Sequence, residues 1–109
     1  MQKIYGTIRK LGAISTYRGF HFLADAIYTK MCHQNKSTMI TKDIYPYVAR
    51  KYETTNMNVE RCIRIVINAC WTKNKDGFEE IAGYPLSHKP TNSEFIDMVV
   101  YYLSELDNK

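Results

Sequence analysis

The chain has 109 residues, enough to enclose a core but too few for a catalytic fold carrying a second module, so one domain spanning residues 1–109 is expected. Hydrophobic residues make up 45% and charged residues 24%, a balance that suits a folded globule and argues against disorder. The net charge of +4 is unevenly placed: residues 1–75 carry 13 Lys and Arg against 4 Asp and Glu (+9), while residues 76–109 carry 2 against 7 (−5), which suits one face toward a polyanion and another toward water or a protein.

Helical signals run through the chain from its start. Ile4, Ile8 and Leu11 recur at helical spacing and stop at Gly12, which predicts a short entry helix with a glycine C-cap. Thr16 is placed to cap a longer helix whose buried stripe is Phe20, Leu23, Ala24, Ile27, Tyr28 and Met31, with Arg18 and His21 facing elsewhere. Residues 34–38 are polar and read as a loop. Thr41 is the expected cap of the next helix, which puts Pro46 near the first turn, where a slight kink or 3₁₀ start would absorb its missing donor. Val48, Ala49 and Tyr52 of that helix face inward.

Glu53 falls in the following turn, at a position where such turns favour Gly or Asn for a left-handed backbone, so mild strain is expected. Thr55 then caps a helix over about 56–74, on which Val59, Ile63, Val66, Ile67 and Cys70 form an i, i+3, i+4, i+7 stripe. After Trp71 the chain is expected to break at 74–77, to form a short helix over 78–82, and to break again at Gly83 and Pro85. Thr91 and Glu94 form a capping box for a last helix with Phe95, Ile96, Val99, Val100, Leu103 and Leu106 on its apolar face. The pattern is all-α: a compact six-helix domain containing a helix-turn-helix over about 40–74, with no alternating run that demands a sheet.

Cys32, Cys62 and Cys70 lack paired spacing, and the last two share a helix whose rise keeps their sulfurs apart, so all three read as reduced core cysteines. Cys32 beside His33 has no further ligand at metal-binding spacing, and neither a metal nor another cofactor is expected. His21, His33 and His88 are scattered outside any nucleophile or phosphate-loop context, so an enzyme is not expected and no catalytic residue is assigned. No apolar run is long enough for a bilayer and no signal-peptide pattern opens the chain, which predicts a cytoplasmic protein without a membrane partner.

The chemistry of the 56–74 helix is the functional signal. Asn58, Glu60, Arg61 and Arg64 lie off its apolar stripe. Arg pairs with the acceptors of guanine, a carboxylate accepts from the cytosine amine, and Asn pairs with adenine, so these four are candidate base readers of double-stranded DNA. A Glu amid cations is informative, because a helix that only neutralised phosphates would gain nothing from an acid. The plainer reading of the same residues is an amphipathic helix with a Glu60–Arg64 surface pair. Lys42, Thr54, Thr55 and Asn56 are candidate phosphate contacts, with Lys73 and Lys89 as weaker ones.

The strings ITKDIYPYVARKYETT, NVERCIRIVINACW and KPTNSEFIDMV resemble the C-terminal effector domain of the stage-zero sporulation protein A family, over about residues 14–106. The resemblance implies a six-helix bacterial transcription regulator that binds a short DNA box through the 56–74 helix, as tandem or homodimeric copies, and contacts the RNA polymerase sigma factor. A nucleoid-associated location follows, and no receiver domain is expected within the chain. Carried over, the base-reading positions fall on Asn58, Glu60, Arg61 and Arg64. Asn58 and Ile65 depart from the basic or polar residues expected there, and the loop over 83–89 is shorter than the family's. The alternative is a helical protein–protein interaction module on the same scaffold with little DNA affinity, for which nine Tyr, Tyr101 and Tyr102 among them, supply aromatic surface.

Overall fold

The structure is a computed structural model that describes residues 1–15, 17–33 and 38–107. Thr16, the expected cap of the second helix, and most of the 34–38 loop lie outside the described residues. Six α-helices and one π-helical turn follow in order: α1 (Gln2–Lys10), α2 (Arg18–Cys32), the π turn (Ile40–Ile44), α3 (Tyr45–Lys51), α4 (Asn56–Lys73), α5 (Lys75–Ala82) and α6 (Asn92–Asp107). Among the described residues there is no strand, and no helix is long and apolar enough to cross a membrane.

The entry helix α1 buries Ile4, Ile8 and Leu11 and ends where Gly12 takes a φ of 108°. The central helix α2 is covered by α1, α4 and α6, and it buries more than one stripe. Phe22, Asp25 and Ala26 are inside along with Phe20, Leu23, Ala24 and Ile27. The predicted stripe also includes Tyr28, but Tyr28 is 47% exposed, because the covered arc turns toward Phe22 and Ala26 and away from it. Met31 is only partly buried. Cys32 likewise is exposed and Cys62 half-buried, leaving Cys70 as the core cysteine, its thiol pushed up to about 11 by burial.

Thr41 does not cap the third helix. The Asp43 carboxylate instead reaches back to accept from Met39 N, just ahead of the π turn, at 2.8 Å. Ahead of Pro46 the chain widens instead of tightening: Ile44 N donates to Met39 O at 3.2 Å, and Tyr45 N donates to Ile40 O. These i→i−5 bonds let the chain reach proline, which has no donor, in the first turn of α3. A π turn thus stands where a kink or 3₁₀ start was expected.

Asn74 alone separates α4 from α5. Its Oδ1 accepts from Gly77 N at 3.0 Å and its Nδ2 donates to Lys10 O at 3.2 Å, so one side chain caps α5 and ties it to α1. The expected break over 74–77 is therefore one residue long, and α5 begins at Lys75, not at 78. Gly83 ends α5 with a φ of 84°. The capping box before α6 forms in both directions, Thr91 N to Glu94 Oε1 at 2.9 Å and Glu94 N to Thr91 Oγ1 at 3.2 Å, and these bonds hold the Glu94 carboxyl below its usual range. Five of the six predicted α6 core residues are buried, whereas Leu106 in the last turn is 45% exposed.

The helices α2 and α4 cross closely at Gly19. A Cβ on Gly19 would stand 2.3 Å from Cys62 O and 2.7 Å from Val66 Cγ2. Gly6 in α1 would meet nothing within 4 Å. Gly19→Ala is therefore expected to destabilise the fold by about 2–3 kcal/mol despite alanine's better helix propensity. Gly6→Ala should stabilise it by about 0.5–1 kcal/mol. Urea titrations of both variants check the pair.

Candidate nucleic-acid interface

The π turn and α3 lead into a four-residue turn, Tyr52 to Thr55, and then into α4. The turn is closed by backbone bonds from Tyr52 N to Val48 O (3.1 Å) and Thr54 N to Ala49 O (2.8 Å). Glu53 takes the left-handed backbone anticipated for it, with a φ of 54°, a conformation that costs a residue with a Cβ about 1 kcal/mol. Val48, Ala49, Val59 and Ile63 are all buried around this turn, so the apolar stripes fix the angle at which α4 leaves it.

A buried acid that sequence reasoning passed over braces the turn from behind. Asp25 is 5% exposed in the middle of α2. Its Oδ2 accepts from the Tyr52 hydroxyl and lies 3.1 Å from Lys51 Nζ. The Tyr52 ring also packs on Phe22 at 5.0 Å between centroids. Burial, and then the Asp25 carboxylate, push the Tyr52 hydroxyl well above the usual tyrosine range, so it stays protonated as the donor. The available signal was an acid inside an otherwise apolar helical run, since an unpaired buried carboxylate is too costly to keep.

Thr55 caps α4 as expected, its hydroxyl oxygen accepting from Asn58 N at 3.1 Å. Beyond the cap the four candidate base readers sit close together but are engaged differently. Arg61 is exposed, and its Nη2 donates to Asn58 Oδ1 at 2.9 Å. Asn58 is half-buried; its Nδ2 donates to Thr54 Oγ1 at 2.9 Å, and the Cys62 thiol approaches its Oδ1 at 3.6 Å. The Asn58 amide is thus a bracket between the turn and the Arg61 guanidinium. One helical turn on, the Arg64 guanidinium donates to the Glu60 carboxylate, with the two side chains 48% and 39% exposed. The surface pair of the plainer reading is therefore formed.

The start of α6 is sewn to this face: Asn92 Nδ2 reaches both Glu60 O and the Tyr45 hydroxyl at 3.0 Å. A recess between them is bordered by Thr41, Glu60, Arg64, Asn68 and Lys89. Lys89, a weaker candidate from sequence, thus borders the same recess as Arg64. Lys42 is exposed on the neighbouring π turn, and Asn56 and Thr55 are exposed at the first turn of α4. Thr54 is half-buried and already accepts from Asn58. Lys73 is not part of this group: it lies about 25 Å along the helix from Asn56, with its methylene stem beside Gly12.

No group of three or more His, Cys, Asp or Glu is placed to hold a metal among the described residues. What the face offers is a capped helix start, two guanidinium groups, one carboxylate and flanking lysines. Such a set can bond base edges and phosphates. The family model described as Sporulation initiation factor Spo0A C terminal matches residues 4–103, from α1 to near the end of α6.

Removing the Asp25 carboxylate would leave the Tyr52 hydroxyl without its acceptor and Lys51 without its ion-pair partner. Asp25→Ala is expected to cost about 2–4 kcal/mol of stability, against about 1 kcal/mol for the cap variant Thr55→Ala. Equilibrium urea unfolding distinguishes them, and equal losses would remove Asp25 from its role as the brace.

Proposed function

The chain belongs to the family of Spo0A C-terminal effector domains, which are DNA-binding regulators of sporulation and not enzymes, and from that premise we propose that α4 is its recognition helix and enters the DNA major groove. The observation that carries this reading is Arg61: an exposed guanidinium, steadied by Asn58, on the first turns of a capped helix. In this position it bonds guanine O6 and N7. Arg64 and Glu60 stand on one side of it as a linked pair, the carboxylate either accepting from a cytosine amine or aiming Arg64. Asn58 acts mainly by holding Arg61, and contacts adenine only if it releases that bond.

Lys42, Thr55, Asn56 and Lys89 surround these groups and serve as phosphate contacts. Thr54 joins them through its own hydroxyl proton, whereas Lys73 is too distant to share one site with the rest. Tandem or homodimeric occupancy of DNA and a contact with the RNA polymerase sigma factor belong to the same reading. The acidic residues 76–109, with Tyr84 and Tyr101 at 61% and 69% exposure, supply surface chemistry suited to a protein partner.

Arg61→Ala is expected to cost about 1–3 kcal/mol of specific affinity and to relax discrimination at one base pair, read by selection from a randomised duplex pool. Binding should weaken with salt at a log–log slope near −0.9 per phosphate neutralised, and Lys42→Ala should flatten that slope by about one while affecting all sequences alike. If no sequence is enriched and binding ignores salt, the interaction-module alternative takes its place. Glu60→Ala should leave nonspecific affinity unchanged or higher while narrowing the preference for the selected box. Equal loss on both duplexes, in competition binding, would return Glu60 to a surface role.

A further inference from the structure

Two large apolar side chains stand on the same face as Arg61. Met57 is 82% exposed and Ile65 is 53% exposed, one four residues before Arg61 and the other four after it. At 3.6 residues per turn each is offset by only about 40° from Arg61 around the helix, on opposite sides. The buried stripe of Val59, Ile63, Val66 and Ile67 occupies the other side of α4, so neither Met57 nor Ile65 belongs to the core. Single exposed hydrophobics are ordinary. A pair placed symmetrically about the central cation of a proposed reading face is not explained by that.

A protein-docking patch of this kind would be contiguous and depleted of charge at its centre. Here the two apolar groups are about 12 Å apart along the axis with a guanidinium between them and Arg64 alongside, an arrangement that fits a polyanion with local apolar features. The major groove has one such feature, the C5 methyl of thymine. An apolar side chain neither donates nor accepts, so it prefers thymine to cytosine by removing that methyl from water.

We propose that Met57 and Ile65 are specificity residues that read thymine methyl groups on either side of the base bonded by Arg61. The inference rests on α4 being the recognition helix. Each lies about 6 Å from Arg61 along the axis, so for a helix lying along the groove the thymines fall about two base steps to each side, at roughly 3.4 Å per step. Met57, unbranched and near the helix start, follows the groove edge by changing rotamer; Ile65, β-branched and stiff, fixes its contact more sharply.

The test uses the whole 109-residue chain. A preferred box is first selected from a randomised duplex pool, and its thymines are then replaced one at a time by deoxyuridine, which lacks only the methyl. Affinity should drop about three- to fivefold at each of two flanking thymines, the contribution expected of one buried methyl. Met57→Ala should abolish the sensitivity at one thymine and Ile65→Ala at the other, with both variants as stable as the parent because neither side chain is buried. A box bound equally well with uridine at every thymine, or variants that keep the parent's sensitivity, overturns the inference while leaving the recognition helix in place. A box without flanking thymines overturns it too, and failure to enrich any sequence overturns both readings together.

Discussion

The close crossing of α2 and α4 at Gly19 is the constraint from which the rest of the molecule is arranged. The Cys62 carbonyl stands where a side chain on Gly19 would begin, so the two helices meet there backbone to backbone. That places α4 against the central helix over its buried stripe and presents its opposite face, with Arg61 in the middle, to solvent. Six residues further along, α2 supplies Asp25, which catches Tyr52 and Lys51 at the end of α3. One helix therefore holds the helix-turn-helix unit at two points, roughly 9 Å apart. A rotation of α4 about its axis would disturb the glycine contact, and a shift of α3 would have to break the Asp25 bonds.

This bracing explains how a glutamate is kept in the left-handed conformation at the turn. Strain of that kind persists where the surroundings over-determine the backbone. Tyr52, just before Glu53, is fixed by Asp25 and Phe22; Thr54, just after it, is fixed through Ala49 O and Asn58 Nδ2. With both neighbours anchored, the middle residue has no other way to close the turn. The side chain of Glu53 itself is exposed.

Most of the helices were legible in sequence because their apolar spacing is regular and their caps are chemically explicit: Thr55, Gly83 and the Thr91–Glu94 box all act as their residue types imply. Errors arose where tertiary cover, not local pattern, decides burial. Tyr28, Leu106 and Cys32 have the spacing of core residues but stay exposed at the rims of recesses that neighbouring helices border without closing, while Asp25 lacks the composition of a core residue and is buried where Tyr52 and Lys51 come to meet it. The π turn before Pro46 depends on hydrogen-bond partners that proline removes and that sequence does not specify. At the interface the grouping of Asn58, Glu60, Arg61 and Arg64 was visible from helical spacing, and Lys89 was not firmly placed because it arrives from another helix start.

The bonds among those four residues bear on how the face would discriminate. Exposed pairs such as Glu60–Arg64 are worth only a few tenths of a kcal/mol, so breaking one to bond a base costs little. Their larger effect is entropic and electrostatic. Arg61 held by Asn58, and Arg64 held by Glu60, have already lost part of the rotamer freedom that binding would otherwise remove. In the proposed DNA-bound arrangement, pairing would also cancel one of the two guanidinium charges on this face, which would weaken indiscriminate attraction to phosphate and leave more of the affinity to depend on matched base edges. An acid among cations thus lowers the baseline against which specific contacts are measured, even where it touches no base.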